Sequence, residues 1–163
     1  MLGVKGYMQQ HGRDNVETFV VVTRMEIVHT IMSIAVQHRL KVYQMNVKST
    51  FLNGVLKEEV HVTQSPIYEV EGQEYKVYRL SKALYSLKQA PHACYSKIDC
   101  YLDTSFDKCD GEPTLYIKES DGELLIVVLY VGDLIFLGSD DFLIIDFKEV
   151  MKSEFEMTDL ALC

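Results

Sequence analysis

The chain has no apolar run long enough to cross a bilayer. The longest, Leu124 to Val131, falls far short of the ~20 residues that a spanning helix needs. The N-terminus, Met1-Leu2-Gly3-Val4-Lys5-Gly6, lacks the apolar core of a secretory signal. Neither a membrane partner nor export is expected, and the compartment read from the sequence is cytoplasmic or nuclear, not secreted. Cysteine is sparse. Cys94, Cys100, Cys109 and Cys163 show no C-x-x-C spacing and no paired histidines, which excludes a zinc ribbon or a disulfide framework and fits reduced thiols. Positive charge is short as well, with 16 Lys and Arg against 24 Asp and Glu, a formal charge of −8. Such a field repels phosphate backbones over a Debye length of about 10 Å, which argues against a free-standing nucleic-acid binder. An acidic domain is still compatible with a longer protein whose other domains supply the basic grip. There is no internal repeat, low-complexity tract or linker.

What remains is ordinary soluble composition. The 163 residues are 48% hydrophobic and 25% charged, enough for one domain that buries roughly two-thirds of its unfolded surface. Around Gly132-Asp133, the apolar run Leu124 to Val131 and the run Leu134 to Leu137, closed by Gly138, predict a buried β-hairpin with its turn at Val131 to Asp133. Turn chemistry alone accounts for an aspartate there. Upstream, Thr18 to Val22 is a short β-rich run. Thr23-Arg24-Met25-Glu26 has capping-box spacing, and the apolar positions behind it predict an amphipathic helix over roughly Arg24 to His38.

Lys41 to Val47 predicts a strand, followed by a turn or short helix over Lys48 to Asn53. Glu59 to Gln64 and Lys76 to Leu80 predict a long hairpin, and Ser81 to Leu87 a short helical piece. Pro91 marks a helix start, with Tyr95, Ile98, Tyr101 and Leu102 as its buried stripe. Strands are expected at Leu115 to Lys118 and Leu124 to Val131, a helix over 140–152, and a last strand at Glu154 to Thr158. Phe142, Ile145, Phe147 and Val150 are among the apolar positions of that helix. The fold class is α+β, in one unit.

Several motifs, in order, carry a resemblance. Gln44-Met45-Asn46-Val47-Lys48-Ser49-Thr50-Phe51-Leu52-Asn53-Gly54 resembles the first palm motif of copia-type LTR-retrotransposon reverse transcriptases. The stretch from Val77 through Tyr85-Ser86-Leu87-Lys88-Gln89-Ala90-Pro91 resembles the central motif. Tyr130-Val131-Gly132-Asp133 stands where the family has Tyr-Val-Asp-Asp. Lys5-Gly6-Tyr7 with Gln9-Gln10, and Phe155 to Leu160, extend the likeness over nearly the whole chain. The resemblance implies a reverse transcriptase domain over residues 1–163 made of fingers plus most of a palm, an antiparallel palm sheet packed on helices, with the thumb and RNase H missing. It implies an RNA/DNA primer–template and a dNTP as partners, Mg²⁺ as cofactor, and the remainder of a retrotransposon polyprotein as neighbour.

Two-metal nucleotidyl transfer needs carboxylates that hold Mg²⁺ ions a few Å apart. By resemblance the three positions are Asn46, Gly132 and Asp133, and two of the three carboxylates are replaced. Asp133 is the remaining metal ligand. A folded palm without catalysis is therefore expected, with weak Mg²⁺ binding. Phe51 matches the bulky residue under the incoming sugar, although a core aromatic explains it equally well. Gln89 matches a glutamine near the incoming nucleotide and would otherwise read as a surface residue. Arg24 resembles an arginine of the fingers helix or is a solvated helix charge. Ser86 replaces a usual glycine, and His92 and Cys94 replace an arginine and a tryptophan. The alternative is a repurposed nucleic-acid-binding or protein-interaction module, for which Lys76, Arg79, Lys82, Lys88 and Lys97 are the candidate basic residues.

Overall fold

A computed structural model describes residues 6–10, 22–48, 55–65, 68–73, 75–84, 86–130 and 132–160. Within them the fold is mixed α/β, with an antiparallel sheet and three α-helices. The strands are β1 (Val42–Val47), β2 (Val55–Thr63), β3 (Val77–Lys82), β4 (Asp107–Cys109), β5 (Glu112–Ser120), β6 (Glu123–Tyr130), β7 (Asp133–Gly138) and β8 (Met157–Leu160). The helices are α1 (Met25–His38), α2 (Ala90–Asp103) and α3 (Asp141–Glu154). Six strands form one sheet in the order β4-β5-β6-β7-β1-β8, and β2 pairs separately with β3.

Period-two alternation explains how the sheet is covered. Leu125, Val127 and Leu129 of β6 join Tyr116, Phe136 and Met45 in a core with Ile98 and Leu102 of α2 and Ile144, Phe147 and Met151 of α3. Ile126 and Val128 point the other way, into a second core with Ile31 and Ala35 of α1. Both faces of the central strands are therefore dry, which is why β6 reads as a continuous apolar run. Phe136 anchors the first core, stacked on Tyr43 with ring centroids 5.6 Å apart and edge-on to Phe147 at 5.0 Å. Among the described residues, no helix is long and apolar enough to cross a membrane.

Most predicted elements are present, with instructive differences. Asp140 caps α3 by accepting the Leu143 N–H at 3.1 Å. The capping box at the start of α1 does not form. Arg24 is the N-cap and no side chain caps it, because the buried Thr23 hydroxyl donates instead to the Leu129 carbonyl at 2.8 Å. No short helix occupies Ser81 to Leu87 among the described residues. Ser81 and Lys82 continue β3, where Lys82 pairs with Val55, and Ser86 sits at φ +74°, incompatible with a right-handed helix. In α3, Phe142 and Ile145 face solvent while Ile144, Phe147 and Met151 are buried. The last strand begins at Met157, because α3 runs to Glu154 and Phe155 turns into the core. Short β4 had no strand signal of its own. The runs at Thr18 to Val21 and Ser49 to Asn53 lie outside the described residues, while Val22 is in no strand.

Candidate functional site

The β6–β7 hairpin brings the sequence-predicted residues to one end of the sheet. Tyr130 pairs with Asp133 across it, so the turn is two residues long, and Asp133 pairs in turn with Asn46 of β1. Asn46 pairs on its other side with Thr158 of β8. Tyr130, Asp133, Asn46 and Thr158 thus form one row across four strands. Directly opposed residues in such a row share a face, with Cβ atoms about 4.5–5.5 Å apart. The Asn46 Nδ2 donates a hydrogen bond to Asp133 Oδ1, and both side chains are half-buried. Two backbone bonds fasten the end of β1: Val47 N–H to the Gly132 carbonyl at 3.0 Å, and Lys48 N–H to the Glu156 carbonyl at 2.7 Å. Gly132 is itself buried.

Asp159 and Glu112 are engaged elsewhere. Asp159 belongs to the next row, opposite Met45, and its carboxylate meets Lys148 at 3.1 Å and Lys152 at 3.5 Å. Buried Glu112 accepts from the Thr114 hydroxyl at 2.6 Å and faces Arg24 at 3.8 Å. Among the described residues no group of three or more His, Cys, Asp or Glu is placed to hold one metal ion. Mg²⁺ requires several hard oxygen ligands, and a pair of ions requires bridging carboxylates. The donor set at the hairpin end is one carboxylate, already accepting an amide N–H, beside a glycine. That set does not fit a two-ion site.

The remaining predicted residues divide. Phe51 lies outside the described residues. Gln89 is no surface residue: it is 2% exposed at the N-cap of α2, and its Oε1 accepts from Gln9 Nε2 at 3.0 Å. Arg24 is exposed over 73% of its side chain, as a helix charge should be. Cys94, Cys100 and Cys109 are free thiols. Burial pushes the Cys94 thiol up to about 11, with Lys97 pulling weakly the other way, so it is inert at neutral pH. The Tyr116 phenol is also held well above its ordinary range by burial and by donating to Asp99. Sequence reasoning missed the Gln9–Gln89 contact. Nothing local signals a pairing across 80 residues; only the order of the motifs hints at it.

An antiparallel sheet that sets an aspartate on a hairpin against the end of a neighbouring strand suits a polymerase-type protein. The chain belongs to the reverse transcriptase (RNA-dependent DNA polymerase) family, whose model matches residues 1–163. Its relatives are of the copia type. It is 38% identical over 162 residues to the Retrovirus-related Pol polyprotein from transposon TNT 1-94 of Nicotiana tabacum, covering 98% of this chain and 12% of that protein. It is 30% identical over 159 residues to the Retrovirus-related Pol polyprotein from transposon RE2 of Arabidopsis thaliana, covering 97% of this chain and 11% of that protein. The chain therefore spans about an eighth of the length of these relatives. No solved structure matches it.

Proposed function

We propose that this chain is the fingers and palm segment of a copia-type polyprotein, an RNA-directed DNA polymerase by descent that no longer catalyses nucleotidyl transfer. Residues 1–163 form one such domain, and the rest of a retrotransposon polyprotein is its natural neighbour. In this reading Asp133, Asn46 and Gly132 hold the three metal-site positions, and Phe51 and Gln89 are the nucleotide contacts. Primer–template and dNTP are the ancestral partners and Mg²⁺ the ancestral ion. The observation that carries it is the Asn46 amide donating to the lone carboxylate of Asp133. Where two ions would need three acidic side chains, the row supplies one acid and a donor. If those ions contribute even a few kcal/mol to the transition state, their loss slows chemistry by roughly a thousandfold or more.

The alternative of a nucleic-acid-binding module finds less support. Lys88 donates its ammonium to the Gln9 carbonyl, Lys97 lies over the Phe155 ring at 5.0 Å, and Arg79 pairs with Glu59 at 3.5 Å. Three of its five candidate cations are thus occupied within the fold. Primer extension within the longer polyprotein tests the proposal, with Mg²⁺ and with Mn²⁺. No product is expected from the natural chain, and product is expected from the Asn46→Asp, Gly132→Asp double variant. Extension by the unaltered chain overturns the proposal.

A further inference from the structure

Gln9 reaches the turn before α2 from the far end of the chain. Its Oε1 accepts the Lys88 backbone N–H at 2.9 Å, its Nε2 donates to Gln89 Oε1 at 3.0 Å, and its own carbonyl accepts from Lys88 Nζ at 2.9 Å. A backbone N–H can only donate, which fixes the oxygen end of Gln9 toward Lys88. The nitrogen end must then face Gln89, and Gln89 must answer with its oxygen. What is left over is Gln89 Nε2, a fully buried donor with no hydrogen-bond partner among the described residues. Leaving a buried donor unsatisfied is costly, and turning the Gln89 amide over would ordinarily be a cheap way to change what it presents. Here that route is closed, because a flip would set two NH₂ groups against each other.

We infer that Gln9 is a positioning residue, which locks the Gln89 amide so that a hydrogen-bond donor is kept for an oxygen of a bound nucleotide. The inference rests on the nucleotide contact proposed above for Gln89 and adds its polarity. A sugar hydroxyl or phosphate oxygen of a nucleoside triphosphate completes the donor; an amino group in the same place is refused. The arrangement lowers stability in the empty protein and restores it when the acceptor arrives.

The Gln9→Glu variant separates this role from simple support. The introduced carboxylate keeps the acceptor for the Lys88 N–H but replaces the donor facing Gln89 with a second acceptor. The Gln89 amide then turns over, its NH₂ is satisfied by that carboxylate, and its oxygen takes the position where the donor had been. Affinity should fall without a matching loss of stability, because an unpaired buried carbonyl takes the place of an unpaired buried NH₂. Tm stays within about 2 °C, while binding of dTTP in Mn²⁺ buffer, followed by calorimetric titration, weakens roughly tenfold. If Tm falls by more than that or the affinity is unchanged in Gln9→Glu, while Gln89→Ala weakens dTTP binding, the positioning role is wrong and the Gln89 contact stands. If the unaltered chain binds no dTTP, or Gln89→Ala binds as tightly as it does, the Gln89 contact itself fails and the inference falls with it.

Discussion

Replacing Asn46 by aspartate sets a second carboxylate directly across the ladder from Asp133. The change removes the amide donor that Asp133 now accepts from. A hydrogen bond to a charged group is worth about 1.5–3 kcal/mol. It also opposes two negative charges, which at ~4–5 Å and an effective dielectric near 20 repel by roughly 3–4 kcal/mol. Half-exposure of both side chains and rotation of either away from the other relieve much of this sum. A net destabilisation of about 2–3 kcal/mol is expected for Asn46→Asp in EDTA at neutral pH. Acidification should shrink the loss, since protonating either carboxylate ends the repulsion. Adding Gly132→Asp supplies a third acid, and the penalty becomes metal-dependent. With Mg²⁺ at about ten times its dissociation constant, the double variant should recover about 1.4 kcal/mol. Urea unfolding followed by far-UV circular dichroism, with EDTA and with Mg²⁺, measures each quantity. A single variant as stable as the natural chain in EDTA, or a double variant indifferent to Mg²⁺, would refute the reasoning.

Further outcomes follow from other parts of the fold. Ser86→Gly should stabilise by about 0.5–1 kcal/mol, because Ser86 holds φ +74° where a side chain is penalised; an unchanged or lower Tm would count against it. Iodoacetamide at pH 8 should label exposed Cys100 readily and leave buried Cys94 intact until the protein unfolds, as peptide mass mapping would show; equal labelling rates would contradict the burial of Cys94. Phe136→Ala should cost about 3–5 kcal/mol by emptying the contact with Tyr43 and Phe147, and a urea-midpoint loss equivalent to under ~1 kcal/mol would refute its anchoring role.

Where the signal was local, the sequence was readable. Helical spacing of apolar residues located α1 and α2, and the paired runs around Gly132-Asp133 located the hairpin that carries Asp133. Failures came where a distant partner overrode a local preference. Thr23 has ideal capping spacing, yet its hydroxyl is buried against the Leu129 carbonyl more than a hundred residues away. Ser81 and Lys82 look helical in isolation, but pairing with β2 draws them into a strand. In α3, apolar content did not reveal which apolar residues face inward: Phe142 and Ile145 are exposed, while Ile144, Phe147 and Met151 are buried. The candidate positions were named through the ordered motifs, and the sheet brings Asn46, Gly132 and Asp133 together. The hydrogen bond from Asn46 to Asp133, and the contact that buries Gln89, required the chain to be folded.

The six-stranded sheet is bordered by β4 and β8, of three and four residues. Among the described residues each border offers few free amides and carbonyls, a short selvage on which to stitch a foreign extended segment.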